Sequence, residues 1–251
     1  MDDTTLLKRK IMDTANRAYS QNIYCYTNFL SISELSVYHN MQKELSFITS
    51  KTFGGSPACE RQVIQFGSEK DFGYEDMFPI DTLCVTALVP KFAEALNHRD
   101  YLGAILNLGI DRSLIGDIVI KDCAAYIFCI NHISDFIIEN LTKIKHTNVK
   151  CSICTLTVGD IAPSFDDIEI IAASPRIDAV VAALSKLSRS KVIELFTSGK
   201  IYVNSLCCQN HSAQLKSGDI LVIRGLGKYI YEGNGSETRK GRVYVQLKKY
   251  V

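Results

Sequence analysis

The sequence predicts an α+β protein, and three observations support this fold class. Apolar residues recur at helical spacing through much of the first 45 residues. Residues 73–160 alternate short strand patterns with helical ones, and residues 174–251 combine two short helical patterns with strands and a basic hairpin tail. We therefore expect an amino-terminal helical and β region over 1–72, a middle domain over 73–160 and a C-terminal domain over 174–251.

The amino-terminal region is expected to begin with two helices. Leu7, Ile11 and Ala15 mark an apolar face on the first helix. Ser31, followed three residues later by Glu34, matches a capping box at the start of the second. Two strands, at 45–48 and 62–66, are then expected on either side of a Gly-rich loop.

The middle domain shows the element order β-α-β-β-α-β. Strands are expected at 83–88, 117–120, 124–130 and 149–158, with a hairpin about Lys121 and Asp122. One helix is expected to open at Pro90, break at 98–100 and resume through Leu108, and another spans 134–141. This order is the ferredoxin-like arrangement, which RNA-recognition domains also use. Residues 159–173 are expected to connect it to the C-terminal domain.

The C-terminal domain is expected to contain two short helices and a sheet. Ser174 is positioned to cap the first helix, with Pro175 at its first helical position. Ser188 is positioned to cap the second helix, which Gly199 ends. Strands are expected at 200–204, 218–225 and 243–247.

The charge of the chain is divided unevenly. The total is +1, yet residues 174–251 carry 13 Lys and Arg against 5 Asp and Glu, a net charge of +8. The preceding 173 residues carry 15 against 22, a net charge of −7. A basic module on an acidic body indicates a polyanionic partner for one end of the chain.

The first turns of the two C-terminal helices are the candidate phosphate contacts. Arg176, Arg189 and Lys191 fall there, where backbone N–H groups and the helix dipole favour an anion. A solvated basic surface is the competing interpretation. The net charge of +8 and the further cations of the tail favour nucleic acid.

Four segments of this domain resemble the RNA-binding domain first known from ribosomal small-subunit protein S-four. They are Ser-Pro-Arg-Ile-Asp at 174–178, Leu-Ser-Arg-Ser-Lys at 187–191, Gly-Lys-Ile-Tyr-Val-Asn at 199–204 and Gly-Asp-Ile at 218–220. The resemblance implies a paired-helix surface that holds folded RNA mainly through its backbone shape. The predicted RNA-binding residues are Arg176, Ser188, Arg189, Ser190, Lys191, Lys200, Asn204, Lys216, Arg224, Lys228, Arg239, Lys240 and Arg242.

Segments along nearly the whole chain resemble the YlmH proteins, which are bacterial proteins typically encoded among cell-division genes. The segments lie at 26–30, 98–104, 108–112, 115–118, 224–228 and 239–242. The resemblance implies association with the ribosome and a role in translation quality control on obstructed large subunits that carry peptidyl-tRNA. Ribosomal RNA and tRNA are the expected partners, with a link to cell division.

Residues of the middle domain leave alternatives open. His98, Arg99 and Asp100 suggest either acid/base chemistry or a turn held by a His–Asp contact. His98, Arg99 and Arg112 are also candidates for a secondary RNA surface. Tyr126 and Phe128 either stack RNA bases, as in RNA-recognition domains, or pack in the core.

Signatures of enzymes and metal sites fail on inspection. Gly225 and Gly227 lack the third glycine of a dinucleotide loop, and no Gly-x-Ser-x-Gly occurs. Cys151 and Cys154 lack the second pair that zinc requires, and core thiols are the better interpretation. The sequence predicts no catalytic residue, metal or cofactor. An RNA-modifying enzyme of pseudouridine-synthase type and a cell-division protein adaptor are the alternatives.

Bulk properties predict a cytoplasmic chain that is not inserted in a membrane. The first ten residues contain no apolar core of a signal peptide, and the longest apolar run has only eight residues. Nine cysteines scattered through core patterns indicate free thiols in a reducing compartment. A monomer is expected.

Overall fold

The computed structural model describes residues 3–121, 123–154, 164–239 and 241–250. The chain forms two compact units, Met1–Ala162 and Pro163–Val251. Helices and antiparallel sheets occur in both, which confirms the α+β class. Within the described residues no helix is both long and apolar enough to cross a membrane.

The helices are short, except for the first. They are α1 (Asp3–Gln21), α2 (Ile32–Asn40), α3 (Glu69–Phe72), α4 (His98–Leu106), α5 (Ser134–Asn140), α6 (Ile177–Ser185) and α7 (Arg189–Thr197). Single 3₁₀ turns lie at Pro90–Phe92, Arg112–Leu114 and Asn131–Ile133.

The strands form three sheets. Those of the first unit are β1 (Cys25–Tyr26), β2 (Ser50–Phe53), β3 (Val63–Phe66), β4 (Ile80–Ala87), β5 (Ile115–Lys121), β6 (Ala124–Ile130), β7 (Lys143–Ile144) and β8 (Thr147–Ile153). Those of the second unit are β9 (Phe165–Ala172), β10 (Ile201–Val203), β11 (Leu206–Cys207), β12 (Ile220–Ile223), β13 (Gly227–Glu237) and β14 (Val243–Tyr250).

The two amino-terminal helices form as predicted. Helix α1 buries Ile11 and Ala15, and a reciprocal capping box starts α2. Its backbone N–H at Ser31 donates to Glu34 Oε2 at 2.7 Å, and the Glu34 N–H donates to Ser31 Oγ at 3.5 Å. These bonds satisfy donors that a helix start otherwise leaves open.

The strand expected at 45–48 is wrong. These residues lie in turns after α2, and the strand β2 begins two residues later at Ser50. Leu45 and Ile48 are nevertheless buried, in the core that α1 and α2 share with β3. A short apolar run can fill a core from a turn as well as from a strand, so its composition did not decide between them.

The five-stranded sheet of the first unit has the order β5-β6-β4-β8-β7, and every neighbouring pair is antiparallel. The predicted hairpin forms, with Lys121 opposite Ala124. The expected helix break at 98–100 is wrong, because α4 begins there. Asn97 caps α4, and its side chain accepts from the N–H groups of Arg99 and Asp100.

The two faces of this sheet have different cover. Leu83 and Ile127 point to α4 and α5, where they pack with Ile105. On the opposite face, Phe128 packs against Phe29 of the amino-terminal region and is fully buried. The expected boundary near residue 72 therefore falls inside one compact unit. The amino-terminal region covers the part of this sheet face around Phe128.

The second unit is a six-stranded antiparallel sheet with α6 and α7 packed on one face. The strand order is β11-β10-β12-β13-β14-β9. Val180 and Phe196 of the helices share a core with Val245 of β14. The connection expected at 159–173 is wrong over Phe165–Ala172, because these residues pair with β14 along their full length.

We expect Gly55→Ala to lower the free energy of unfolding by about 3 kcal/mol. Gly55 has a φ of +98°, and an added Cβ would lie 2.2 Å from Cδ1 of Phe128. The variant therefore combines backbone strain with overpacking of the closed face. Urea denaturation measures the loss.

Gly73→Ala separates the two causes. Gly73 also has a positive φ, +77°, but an added Cβ meets nothing within 4 Å. Only the strain of about 1 kcal/mol should appear. Equal losses in the two variants would contradict the close packing of Gly55 on Phe128.

Candidate nucleic-acid interface

Arg176 lies at the N-cap position of α6, where Ser174 was expected. The first N–H groups of α6 already have partners, because Ile177 N donates to Ala213 O at 2.9 Å and Asp178 N to His211 O at 3.2 Å. A serine cap is therefore not needed. For the same reason, these N–H groups are not available to a phosphate, which corrects the helix-terminus part of the expectation at α6.

The Arg176 guanidinium is held in one orientation. Its Nε donates to Asp178 Oδ1 at 3.1 Å, and its Nη2 donates to Asp178 Oδ2 at 2.7 Å and to Ser212 Oγ at 3.1 Å. The Asp178 carboxylate is buried, whereas Arg176 is partly exposed. A two-bond fork of this kind fixes geometry, although it neutralises part of the charge.

Helix α7 begins differently. Ser188 occupies its N-cap position as expected, but its Oγ lies 3.1 Å from Ser190 Oγ and does not cap the helix. Arg189 and Lys191 follow on the first turn, and both are exposed. The α7 start thus combines two cations, two hydroxyls and a helix terminus without a side-chain cap, a combination that suits an anion.

The structure brings the two helix starts together. Arg176 and Arg189 line one cleft of about 280 Å³, whose other lining residues include Ser174, Asp178, Ala179 and Ala182. Two arginines facing one cleft can engage phosphate oxygens with several hydrogen bonds each.

Asn204, one of the predicted RNA-binding residues, has structural partners. Its backbone has a positive φ of 49°. Its Nδ2 donates to Asp219 Oδ1 at 2.8 Å, and its Oδ1 accepts from Ile220 N at 2.9 Å. Asn204 therefore joins the end of β10 to the start of β12, and an RNA contact by its side chain stays a prediction.

The remaining predicted residues that the structure describes lie at the surface of the second unit. Lys200, Lys216, Arg239 and Arg242 are exposed. The Arg224 guanidinium lies over the Tyr202 ring, with 5.1 Å from Cζ to the ring centre. The Lys228 ammonium lies 4.5 Å from the centre of the Tyr250 ring. Lys240 lies outside the described residues.

Strand β9 changes the charge of the module. It adds Asp166, Asp167 and Glu169, so residues 164–251 carry 13 basic and 8 acidic residues, a net charge of +5. The added acids lie on the edge strand of the sheet. The basic character is weaker than the sequence boundary implied, but it has the same sign.

The first unit has a separate polar cleft that contains Arg99. It measures about 490 Å³ between α4 and the segment around β7, where Lys143 and Lys145 also line it. The Lys145 ammonium lies 2.7 Å from Asp100 Oδ1. Asp100 also accepts from Asn97 N at 2.9 Å and is therefore part of a capping box, so the expected His–Asp turn is wrong.

Arg112 points into the fold. Its Nη1 donates to the carbonyl oxygens of Ile115 and, at 3.2 Å, Gly116. Burial, with a smaller contribution from the nearby Arg61, lowers the pKa of Arg112 to about 10. Burial also lowers the pKa of His98, and the positive charge of Arg112 lowers it further. Arg99 lines the polar cleft, whereas these interactions give Arg112 a structural role, and an RNA surface at His98, Arg99 and Arg112 stays a prediction.

The core interpretation is correct for Phe128, which is fully buried and cannot stack an RNA base. Tyr126 is half-buried and packs against the cluster that contains Phe128.

The core interpretation also fits Cys151, which is buried, and burial raises the pKa of its thiol to about 11. Among the described residues, no group of three or more potential ligands is arranged for a metal ion.

Sequence reasoning missed the residues that position the cations. Asp178 orients Arg176, and the Arg-x-Asp spacing at 176–178 could have indicated this pair. Ser212 and the carbonyl of Ala213 also contact the α6 start. No local signal indicated them, because they lie more than 30 residues away in the chain.

Comparisons with known proteins identify part of the first unit. Residues 75–158 match the family model described as "Putative RNA-binding domain in YlmH". This part of the chain is therefore similar to the domain that the family model describes. It contains Arg99, the polar cleft and the partly closed sheet.

Two proteins are similar to this chain. One is "Ribosome-associated protein quality control protein P2" of Bacillus subtilis, 30% identical over 158 residues, which are 62% of this chain and 61% of the relative. The match thus spans about three fifths of the relative's length. The other is the structure of "Cell division protein ylmH" from Streptococcus pneumoniae, with a TM-score of 0.50 and 18% identity over 62% of this chain and 93% of that one. This second likeness concerns the fold.

We expect Asp100→Asn to lower the free energy of unfolding at pH 7 and to have less effect in acid. The Asn97 N–H and the Lys145 ammonium hold the pKa of Asp100 below its ordinary value. A carboxyl group whose pKa is lower in the folded state stabilises the fold at pH values above its unfolded-state pKa of about 3.9. This stabilisation is lost as the pH falls through the folded-state pKa. Urea unfolding at pH 7 and at pH 3 measures the difference.

Glu139→Gln is the matched control, because Glu139 is an exposed carboxylate of the same unit. Its effect should be small at both pH values. An Asp100→Asn effect of equal size at pH 7 and pH 3 would contradict the ionic contribution.

Proposed function

We propose that this chain is a non-enzymatic RNA-binding protein that associates with the ribosome and contacts ribosomal RNA. The cleft at the two helix starts carries the proposal. There Arg176 and Arg189 face one cavity, with Lys191 exposed on the first turn of α7. Guanidinium groups match the geometry of phosphate oxygens, and contacts of this type bind the backbone irrespective of sequence.

The finer architecture belongs to the same proposal. We infer that the second unit is an S-four-type domain, because two of the four matching segments lie at the starts of its paired helices α6 and α7 and the other two lie at strands β10 and β12. We infer a ferredoxin-like arrangement for the middle domain, which the antiparallel strand order β5-β6-β4-β8 supports. Strand β7 extends this sheet by one short strand.

The ribosomal setting is supported by similarity. The Bacillus relative is named for ribosome-associated quality control. We therefore propose that the chain acts in the cytoplasm as a monomer on obstructed large subunits, with peptidyl-tRNA near its binding site.

A protein adaptor in cell division is the second candidate. The name of the Streptococcus neighbour favours it. An adaptor would keep its protein partner after RNA is destroyed, whereas a ribosome-bound protein would lose its partners in the same pull-down with ribonuclease.

We expect the double variant Arg176→Glu with Arg189→Glu to lose most of its affinity for deproteinised ribosomal RNA. The wild-type logarithm of affinity should fall with the logarithm of salt concentration at a slope of about −3.5 to −4.5, for about five phosphate contacts. Removing two contacts should make the slope shallower by about 1.4 to 1.8. Filter binding between 50 and 200 mM salt measures both.

The control is the charge reversal of two exposed lysines of the first unit, Lys43→Glu with Lys70→Glu. It changes net charge equally and should leave most of the affinity and the slope intact. The proposal fails if wild-type binding is independent of salt, or if the arginine variant binds as tightly as the control.

We expect no new base modification when the chain is incubated with ribosomal RNA. A binding protein protects or occludes the RNA without changing its covalent structure. Reverse-transcription mapping and mass spectrometry of the nucleosides measure the outcome. A stoichiometric new modification, such as pseudouridine, would establish the enzyme alternative instead.

A further inference from the structure

The outer face of the second-unit sheet carries a row of aromatic and cationic side chains. Core residues such as Leu221, Tyr229 and Leu247 point to α6 and α7. Side chains alternate along a strand, so positions an odd number of residues away point to the opposite face. Positions 222, 228 and 250 are one, one and three residues from Leu221, Tyr229 and Leu247. The row therefore lies on the side of the sheet away from α6 and α7, whose starts form the cleft lined by Arg176 and Arg189 (the helix cleft).

The members of the row lie on adjacent strands. Phe165 of β9 is opposite Tyr250 of β14, and their ring centres are 4.9 Å apart in an edge-to-face arrangement. Lys228 of β13 extends over the Tyr250 ring. Val222 of β12 is opposite both Lys228 and Tyr202 of β10. Five strands at the usual spacing make the row about 19 Å long.

The two ends of the row offer flat surfaces. At one end the Phe165 side chain is 41% exposed beside Tyr250. At the other end Arg224 lies over the buried ring of Tyr202 and is itself exposed. Aromatic rings and the planes of arginine guanidinium groups are the surfaces on which unpaired bases stack, and cations between them attract the backbone.

Charge on the same face limits where RNA can lie. Next to the row, Asp167, Glu169 and Glu232 line a cleft of about 400 Å³. Lys248 pairs with Glu232 there at 2.5 Å between Nζ and Oε1. The three carboxylates of this cleft outnumber its one lysine and repel phosphate, so a polynucleotide is directed along the row of Lys228 and Arg224.

We propose that this outer face is a second RNA site, which binds a short single-stranded segment by stacking unpaired bases on Phe165 and on Arg224. The proposal rests on the proposed RNA-binding function and adds a different kind of recognition. The helix cleft holds phosphates of folded RNA, and the row, on the other side of the sheet, selects nucleotides that are not paired.

The absence of tryptophan from the sequence provides a direct test. Phe165→Trp places one indole in the row, and stacking with a base should quench its fluorescence. The control is Tyr244→Trp, which lies on β14 and on the same face, opposite Ile171. A ten-nucleotide oligouridylate should quench Phe165→Trp strongly and Tyr244→Trp little, and a blunt RNA duplex of the same length should quench neither.

Affinity measurements give the second readout. Phe165→Ala should weaken binding of the oligouridylate on the order of tenfold, and Phe165→Tyr should retain it. Binding of the duplex should not change in either variant. Equal quenching of the two tryptophans, or unchanged oligouridylate affinity in Phe165→Ala, would overturn the second site.

The proposed function and the second site fail in different ways. If ribosomal RNA binds with the expected sensitivity to Arg176→Glu and Arg189→Glu, but Phe165 has no effect, the second site is wrong and the function stands. If the wild-type chain binds no RNA of any kind, both proposals fall.

Discussion

The arrangement of the first unit depends on the side chain of Arg61. Its guanidinium donates to carbonyl oxygens at three places in the chain, those of Phe29, Arg112 and Ile115, at 2.9 to 3.3 Å. Asp117 accepts from the backbone N–H groups of residues 60 and 61 and lies near the same cation. A partly buried cation is stabilised when its donors are satisfied, and these bonds fix the amino-terminal region on the sheet. The sheet face that RNA-recognition domains use for stacking is consequently covered at Phe128.

The second unit differs from the first, because it holds cations at its surface and still fixes the geometry of some of them. Three of these cations have a fixed neighbour among the described residues. A buried carboxylate orients Arg176, and aromatic rings support Arg224 and Lys228. A supported cation loses less conformational freedom when it meets an anion than one on a free stem does. The acids of β9 reduce the net charge of the unit, and they lie on the edge strand of its sheet.

Local signals in the sequence predicted the elements that depend on local interactions. The Ser31–Glu34 box, the hairpin between β5 and β6 and the start of α7 follow from side chains within a few residues of one another. Strand β9 was missed because its acidic pair and the preceding Pro163 resemble a connection, although Ile168 and Ile170 alternate with polar residues as in a strand. The direction of Arg112 and the meeting of Arg176 with Ser212 depend on segments far apart in the chain, and no spacing in the sequence specifies them.

The position of β9 also determines how the second unit can be separated from the rest of the chain. Strand β14, the last in the described chain, has β13 on one side and β9 on the other. A fragment cut at Ser174, where the basic composition begins, would leave eight residues of β14 with unpaired backbone groups on one side. Bare strand edges of this length recruit other strands, so such a fragment would tend to self-associate. With β9 in place, the edge of the sheet instead carries Asp166, Asp167 and Glu169, and charged side chains on an edge strand disfavour further pairing.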